Sequence, residues 1–160
     1  MDAFAVFGLV PAVEFDRQEL EARYLELTRA CHPDHHAGAD ADAQIALLTR
    51  AATVNEAYRM LRDRWRRAEA IVELNAPQAM AAGKNLAPSF LADALELAEA
   101  VAGAAPGSQE ATALRARIEQ LIAADWATLA TLIAGGDWAN AATRLHQSRY
   151  HRKALHDLTR

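Results

Sequence analysis

One cysteine, seven glycines and five prolines in 160 residues leave this chain with little to cross-link it and little to break it. The lone Cys31 excludes an intramolecular disulfide and fits a reducing compartment. With glycine and proline sparse, alanine abundant and no alternating apolar run, a sheet has nothing to be built from, so an all-α protein is expected. Aromatic residues make up only 6%, so its cores should be aliphatic and alanine-rich. No stretch of about twenty apolar residues offers a membrane span, and neither a charged leader nor an Arg-rich transit peptide precedes Phe4. The formal net charge is −4 and the basic residues gather on no single surface, which argues against nucleic acid as a partner. A Gly-rich phosphate loop, a nucleophile elbow and an H-E-x-x-H pattern are all missing, so the chain is not expected to be an enzyme. The compartment these features suggest is the bacterial cytoplasm.

What the chain does have is a sharp interruption between two helical stretches, at Arg29-Ala30-Cys31-His32-Pro33-Asp34-His35-His36. Upstream, Asp16 and Glu19 have the spacing of a capping box, and Leu20, Tyr24, Leu27 and Cys31 recur at helical intervals. Pro33 disfavours the helical conformation at His32 and has no amide hydrogen, so the helix must stop there. Ile45, Leu48, Ala52, Val54, Tyr58 and Leu61 then restart a helical pattern, and the third helix is expected to run to about Arg64. The break therefore lies at the tip of a helical hairpin, a place suited to recognition. Before it, Asp2 can cap a short helix carrying Phe4 and Phe7 that Gly8 and Pro11 terminate. Asn55 needs a hydrogen-bond partner, expected in the backbone of the facing loop. The run Arg62, Arg64, Arg66, Arg67 reads as a solvated helix end.

Cys31, His32, His35 and His36 could also be taken for a metal site, since thiolate and imidazole are zinc's usual ligands. Adjacent His35 and His36 point apart, Pro33 stiffens the segment, and no second cysteine supplies a separate cluster. Neither a metal nor another cofactor is expected. Cys31 reads instead as a small apolar residue, and His151 and His156 as exposed positions of a basic last helix.

The second half begins after a candidate linker at 75–88, which contains Pro77, Gly83 and Pro88. Three helical segments follow over 89–160, with Ser89 and Ser108 as caps and Gly135-Gly136-Asp137 as the last break. Leu114, Ile118, Leu121, Asp125, Leu129 and Leu132 make a heptad-like stripe, so a three-helix bundle is expected. The first of these helices has more apolar surface than a bundle needs. Phe90, Ala94, Leu97 and Val101 form one stripe; Leu91, Leu95 and Ala98 form another, turned by about 100° and flanked by Glu96 and Glu99. An apolar strip rimmed by carboxylates suits a partner-binding helix.

A helix with basic residues, then His32-Pro33-Asp34, then a helix reading Val54-Asn55-Glu56-Ala57-Tyr58-Arg59-Met60-Leu61, resembles a J-domain, the module that stimulates the ATPase of DnaK-type chaperones. Phe4-Ala5-Val6-Phe7-Gly8-Leu9-Val10-Pro11 and Arg67-Ala68-Glu69 are similar to the HscB family, J-protein co-chaperones of iron–sulfur cluster assembly. The resemblance implies a J-domain at 1–74, a linker at 75–88 and a scaffold-binding domain at 89–160. It implies two partners, a DnaK/HscA-type chaperone and an IscU-type iron–sulfur scaffold protein. Chaperone contacts would fall to His32, Pro33 and Asp34, with docking charge from Arg23 and Arg29; scaffold contacts would fall to Leu91, Leu95, Glu96, Glu99 and Tyr150. Departures exist: between Arg17 and Cys31 three arginines meet Glu19, Glu21 and Glu26, His35 stands where a lysine is common, and Ala92 and Gly103 replace a larger apolar residue and an acid. A J-protein serving another client is therefore the alternative.

Overall fold

The computed structural model describes residues 2–32, 38 and 40–160, and its described residues form eight helices and no strand. The chain divides into two compact units, Met1–Leu74 and Asn75–Arg160.

In the first unit, α1 (Ala3–Phe7) is opened by Asp2, whose carboxylate accepts from the amides of Phe4 at 3.0 Å and Ala5 at 3.1 Å. Gly8 closes it at φ 60°, a left-handed cap that a side chain would strain. Phe4 and Phe7 are buried, which is what so short a helix needs to stay formed. α2 (Arg17–Ala30) starts at Asp16, which accepts from Gln18 at 2.8 Å. The expected capping box does not close on Glu19, whose carboxylate instead takes the Arg23 guanidinium at 2.6 Å. α3 (Ala41–Arg62) is capped by Asp40 and packs on both α1 and α2. Val54, Ala57 and Leu61 are its buried residues, whereas Ile45 and Leu48 of the same helical pattern are exposed. Tyr24 stacks on Tyr58 at 4.0 Å between centroids, and its hydroxyl donates to Asn55 at 2.9 Å. The partner of Asn55 is thus a side chain of α2 and not loop backbone.

The third helix does not run on past Asp63. Asp63 adopts an extended ψ of 121° and its carboxylate accepts from the amides of Trp65 at 2.8 Å and Arg66 at 3.1 Å, so it ends α3 and opens α4 (Arg64–Asn75). A cap that bonds the next helix outweighs one more helical turn without it. The arginine run is also not uniformly solvated. Arg67 is 3% exposed and donates to the carbonyls of Val13 at 2.7 Å and Leu61 at 2.6 Å, with its guanidinium 4.6 Å from the Phe15 ring centroid. Burial pushes that guanidinium below its usual value, and the two carbonyls and the ring replace its water.

In the second unit, the stretch 75–88 read as a linker contains α5 (Pro77–Ala82), whose Met80 is buried and which packs on α8. His146 Nε2 donates to the Met80 carbonyl at 2.8 Å, and a Cβ on Gly83 would lie 2.9 Å from the backbone of Ala142 and Thr143. α6 (Pro88–Gly103) begins one residue before Ser89: Ala87 is the N-cap, and Pro88, whose fixed φ suits a first helical position, takes the cap's place. Ser108 caps α7 (Gln109–Ala134) by accepting from Ala111 at 3.0 Å, and Asp137 caps α8 (Trp138–Leu158). The short 135–137 connection makes α7 and α8 antiparallel neighbours. Leu97, Ile118 and Ala154 centre the bundle core, with Val101, Leu114, Leu121 and Leu158 around them.

One histidine expected at the surface is inside. His151 is 8% exposed, and its Nδ1 donates to Asp125 Oδ2 at 2.7 Å. Arg144 donates to the other carboxylate oxygen at 3.2 Å. Asp125, counted in the α7 stripe, is therefore a core position satisfied by two α8 side chains.

Candidate functional site

Two places collect the residues expected to act. The first is the hairpin tip. α2 ends with Cys31 buried as its C-cap, packed as the small apolar residue its place on the stripe implied. His32 follows, exposed, its amide donating to the Arg29 carbonyl at 3.1 Å. Pro33, Asp34, His35 and His36 lie outside the described residues, and with them two of the four residues of the candidate metal set. Among the described residues no group of three or more histidine, cysteine or acidic side chains is placed to hold a metal ion.

The two arginines of this region differ. Arg29 is exposed in the last turn of α2, where a cation is favoured by the helix dipole. Arg23 reaches instead across to α1, donating to the carbonyls of Phe7 and, at 2.9 Å, of Gly8. Those carbonyls are the ones an ending helix leaves without amide partners, and Arg23 satisfies them while its other nitrogen holds Glu19. Its first task is to fasten α1 to α2. Glu21, a second carboxylate of this helix, accepts a hydrogen bond from the Tyr58 hydroxyl on α3.

The second place is a groove of about 350 Å³ between α6 and α8. Of the core stripe of α6, Ala94 and Leu97 are buried and Phe90 and Val101 half-buried, Ala94 and Val101 also forming part of the groove's floor. Leu91 at 41% and Leu95 at 61% exposure stand outside it, with Glu96 and Glu99 also exposed on the same helix. Tyr150, Lys153, Ala154 and Asp157 of α8 form the opposite wall. The structure therefore brings Leu91, Leu95 and Tyr150 together. Phe90 joins the two helices, its ring edge-on to Tyr150 at 5.7 Å. Lys153 and Asp157 are ion-paired one turn apart, and that hydrogen bond holds the Asp157 carboxyl below the usual carboxylate range. Lys153, Ala154 and Asp157 were not anticipated. Their spacing from Tyr150, by three, four and seven residues, is the helical signal that would have found them.

Comparison with known proteins settles the family. A family model described as the HSCB C-terminal oligomerisation domain matches residues 86–159. The co-chaperone protein HscB homolog of Bordetella pertussis is 32% identical over 161 residues, covering 99% of this chain and 94% of that one. The chain belongs to the HscB family. An HscB homolog from Vibrio cholerae is 29% identical over 164 residues, covering 100% of this chain and 96% of that one. Among solved structures, chaperone HscB from Vibrio cholerae superimposes with a TM-score of 0.83 at 26% identity, covering 99% of this chain and 96% of its own. Human co-chaperone HscB gives a TM-score of 0.84 at 17% identity, covering 99% of this chain and 81% of its own, which shows that the fold is shared. The HscB architecture is all-α, a J-domain followed by a helical bundle, and the two units described above are of these two kinds.

Proposed function

We propose that this HscB-family chain is a bacterial cytoplasmic co-chaperone of iron–sulfur cluster assembly. Residues 1–74 act as the J-domain and stimulate the ATPase of a DnaK/HscA-type chaperone. Residues 89–160 hold an IscU-type scaffold protein and deliver it to that chaperone. The observation that carries the reading is the α6 face: two exposed leucines, on a helix that packs through a separate stripe centred on Ala94 and Leu97, facing a tyrosine across a groove. Exposed large apolar residues clustered in a groove with a polar rim mark a binding site.

In this reading the chain catalyses nothing itself. Its J-domain binds more tightly to the hydrolysis-competent conformation of the chaperone than to the resting one, and the difference shifts the population. His32 is the contact donor, Pro33 sets the shape of the bend, and Asp34 presents a charged acceptor. Arg29 supplies docking charge, with Arg23 behind it. Three arginines against three glutamates make α2 nearly neutral between Arg17 and Cys31, so docking is weak and brief. The groove residues Leu91, Leu95 and Tyr150, together with the exposed Glu96 and Glu99 of the same helix, hold the scaffold and raise its effective concentration at the chaperone.

Two measurements test this. Stimulation of a DnaK/HscA-type ATPase should be abolished by His32→Gln and by Asp34→Asn, with stability changed by less than about 0.5 kcal/mol, as for surface substitutions in general. Stimulation at the unsubstituted level would refute the assignment of the tip. Calorimetric titration with purified IscU-type scaffold should show one-to-one binding, and its absence would leave the J-domain reading standing but point to another client.

A further inference from the structure

Asp125 presents a problem that neither stability nor the proposed groove resolves by itself. A carboxylate in a bundle core is costly to desolvate, and a buried ion pair is often no better than apolar residues of the same volume. This one is attached to α8 at both oxygens. Asp125 Oδ1 takes Arg144 at 3.2 Å and Oδ2 takes His151 Nδ1 at 2.7 Å, so both oxygens are committed to α8. An ionised carboxylate only accepts, so Nδ1 carries the proton and the imidazole is held in one tautomer and one orientation. The ring so held lies edge-on to Phe90 of α6, 5.7 Å between centroids. Phe90 is edge-on to Tyr150 at the same distance of 5.7 Å. Tyr150 is a wall of the groove.

We infer that Asp125 and His151 are positioning residues for the α6–α8 groove, acting through the Phe90 ring to hold Tyr150 against it. This inference rests on the groove being a protein-binding site. Its physical content is pre-organisation. A tyrosine on a helix surface that is 44% exposed has several rotamers available. The relay from a fixed imidazole through Phe90 selects one of them before a partner arrives, and a partner then loses less in ordering it. Tyr150 and His151 are consecutive, so one ring of α6 touches both an inward and an outward residue of α8. That is how a core hydrogen bond is felt at the surface.

The variant that isolates this role is Asp125→Leu with His151→Leu, which keeps the core apolar and filled and frees Arg144, a third exposed, to turn to solvent. It should unfold at a temperature equal to or above that of the unsubstituted chain. Its affinity for purified IscU-type scaffold, measured by calorimetry, should fall five- to tenfold. Ring-to-ring nuclear Overhauser contacts between Phe90 and Tyr150, expected in the free unsubstituted chain from their 5.7 Å separation, should disappear. Asp125→Asn, whose one carbonyl oxygen can take the place of Oδ2 and accept from His151 while Arg144 turns to solvent, should keep those contacts and bind within twofold of the unsubstituted chain, and it serves as the readout if the double variant fails to fold: lost contacts there would overturn the inference. Contacts and affinity both unchanged in a folded double variant would overturn it as well. If the unsubstituted chain does not bind scaffold at all while the double variant loses the ring contacts, the groove's assignment fails and the positioning relay stands.

Discussion

Arg67 shows how much a single side chain can carry in a small helical unit. Its guanidinium spans the carbonyls of Val13 and Leu61, tying the connection before α2 to the end of α3, and stacks on Phe15. Removing a charged donor from two carbonyls leaves buried acceptors unpaired, so Arg67→Ala should cost about 3 kcal/mol, read from denaturant unfolding. Arg67→Lys should recover less than half of that, because an ammonium cannot present a planar fork to two acceptors. Tyr58 offers a titration test. Its hydrogen bond to the Glu21 carboxylate, followed by burial, raises the phenol above its usual value. A raised value means the protonated phenol is the form that folding favours. The contribution is therefore complete below about pH 10 and is lost as pH rises through the folded-state value. Glu21→Gln should bring the Tyr58 midpoint down, followed by ultraviolet difference titration; an unmoved midpoint would mean the carboxylate is not its partner.

At the scale of elements, the fit of α5 against α8 depends on the lack of a side chain. Gly83 has an ordinary φ of −63°, so no backbone strain requires glycine there. The requirement is space: a Cβ would stand 2.9 Å from α8 backbone, which cannot swing aside as a side-chain tip could. Gly83→Ala should destabilise the second unit by about 1 to 3 kcal/mol through overpacking. In hydrogen exchange, α5 amides should lose protection before those of α7 do. Uniform loss along both helices would show that α5 is not separately seated. The same scale explains Asp63, which serves two helices at once and so fixes where the basic run turns inward.

For the whole molecule, the division at Leu74 and Asn75 allows the two proposed activities to be separated. Leu91→Ser with Leu95→Ser changes two exposed residues of the second unit and none of the hairpin. Scaffold binding should weaken at least tenfold, while stimulation of the chaperone ATPase without scaffold should stay within twofold. Equal loss of both activities, or unfolding of the chain, would show that these leucines serve the fold and not a partner. No described helix is long and apolar enough to cross a membrane, so the apolar face of α6 is not part of a helical span.

The sequence by itself determined the helices outside the 75–88 stretch, many of their ends and the two-stripe character of α6, but neither α5 nor the break between α3 and α4. Capping aspartates, helix-ending glycines and a 3.6-residue period act over a few neighbouring residues, and Asp2, Gly8, Asp16 and Ser108 do what their positions imply. It also carried the family, because His32-Pro33-Asp34 and the Asn55 to Leu61 segment are local patterns. Tertiary structure alone decided which of several similar residues face inward. Arg67 and not Arg66 is buried, His151 and not His156 is the buried one of the two histidines read as exposed, and Glu19 leaves its capping role for Arg23. The reason is that a polar side chain turns from solvent only where distant chain supplies its partners: Val13 for Arg67, Asp125 for His151, Phe7 and Gly8 for Arg23. Those partners lie 54, 26 and 15 or 16 residues away, beyond the reach of any local period.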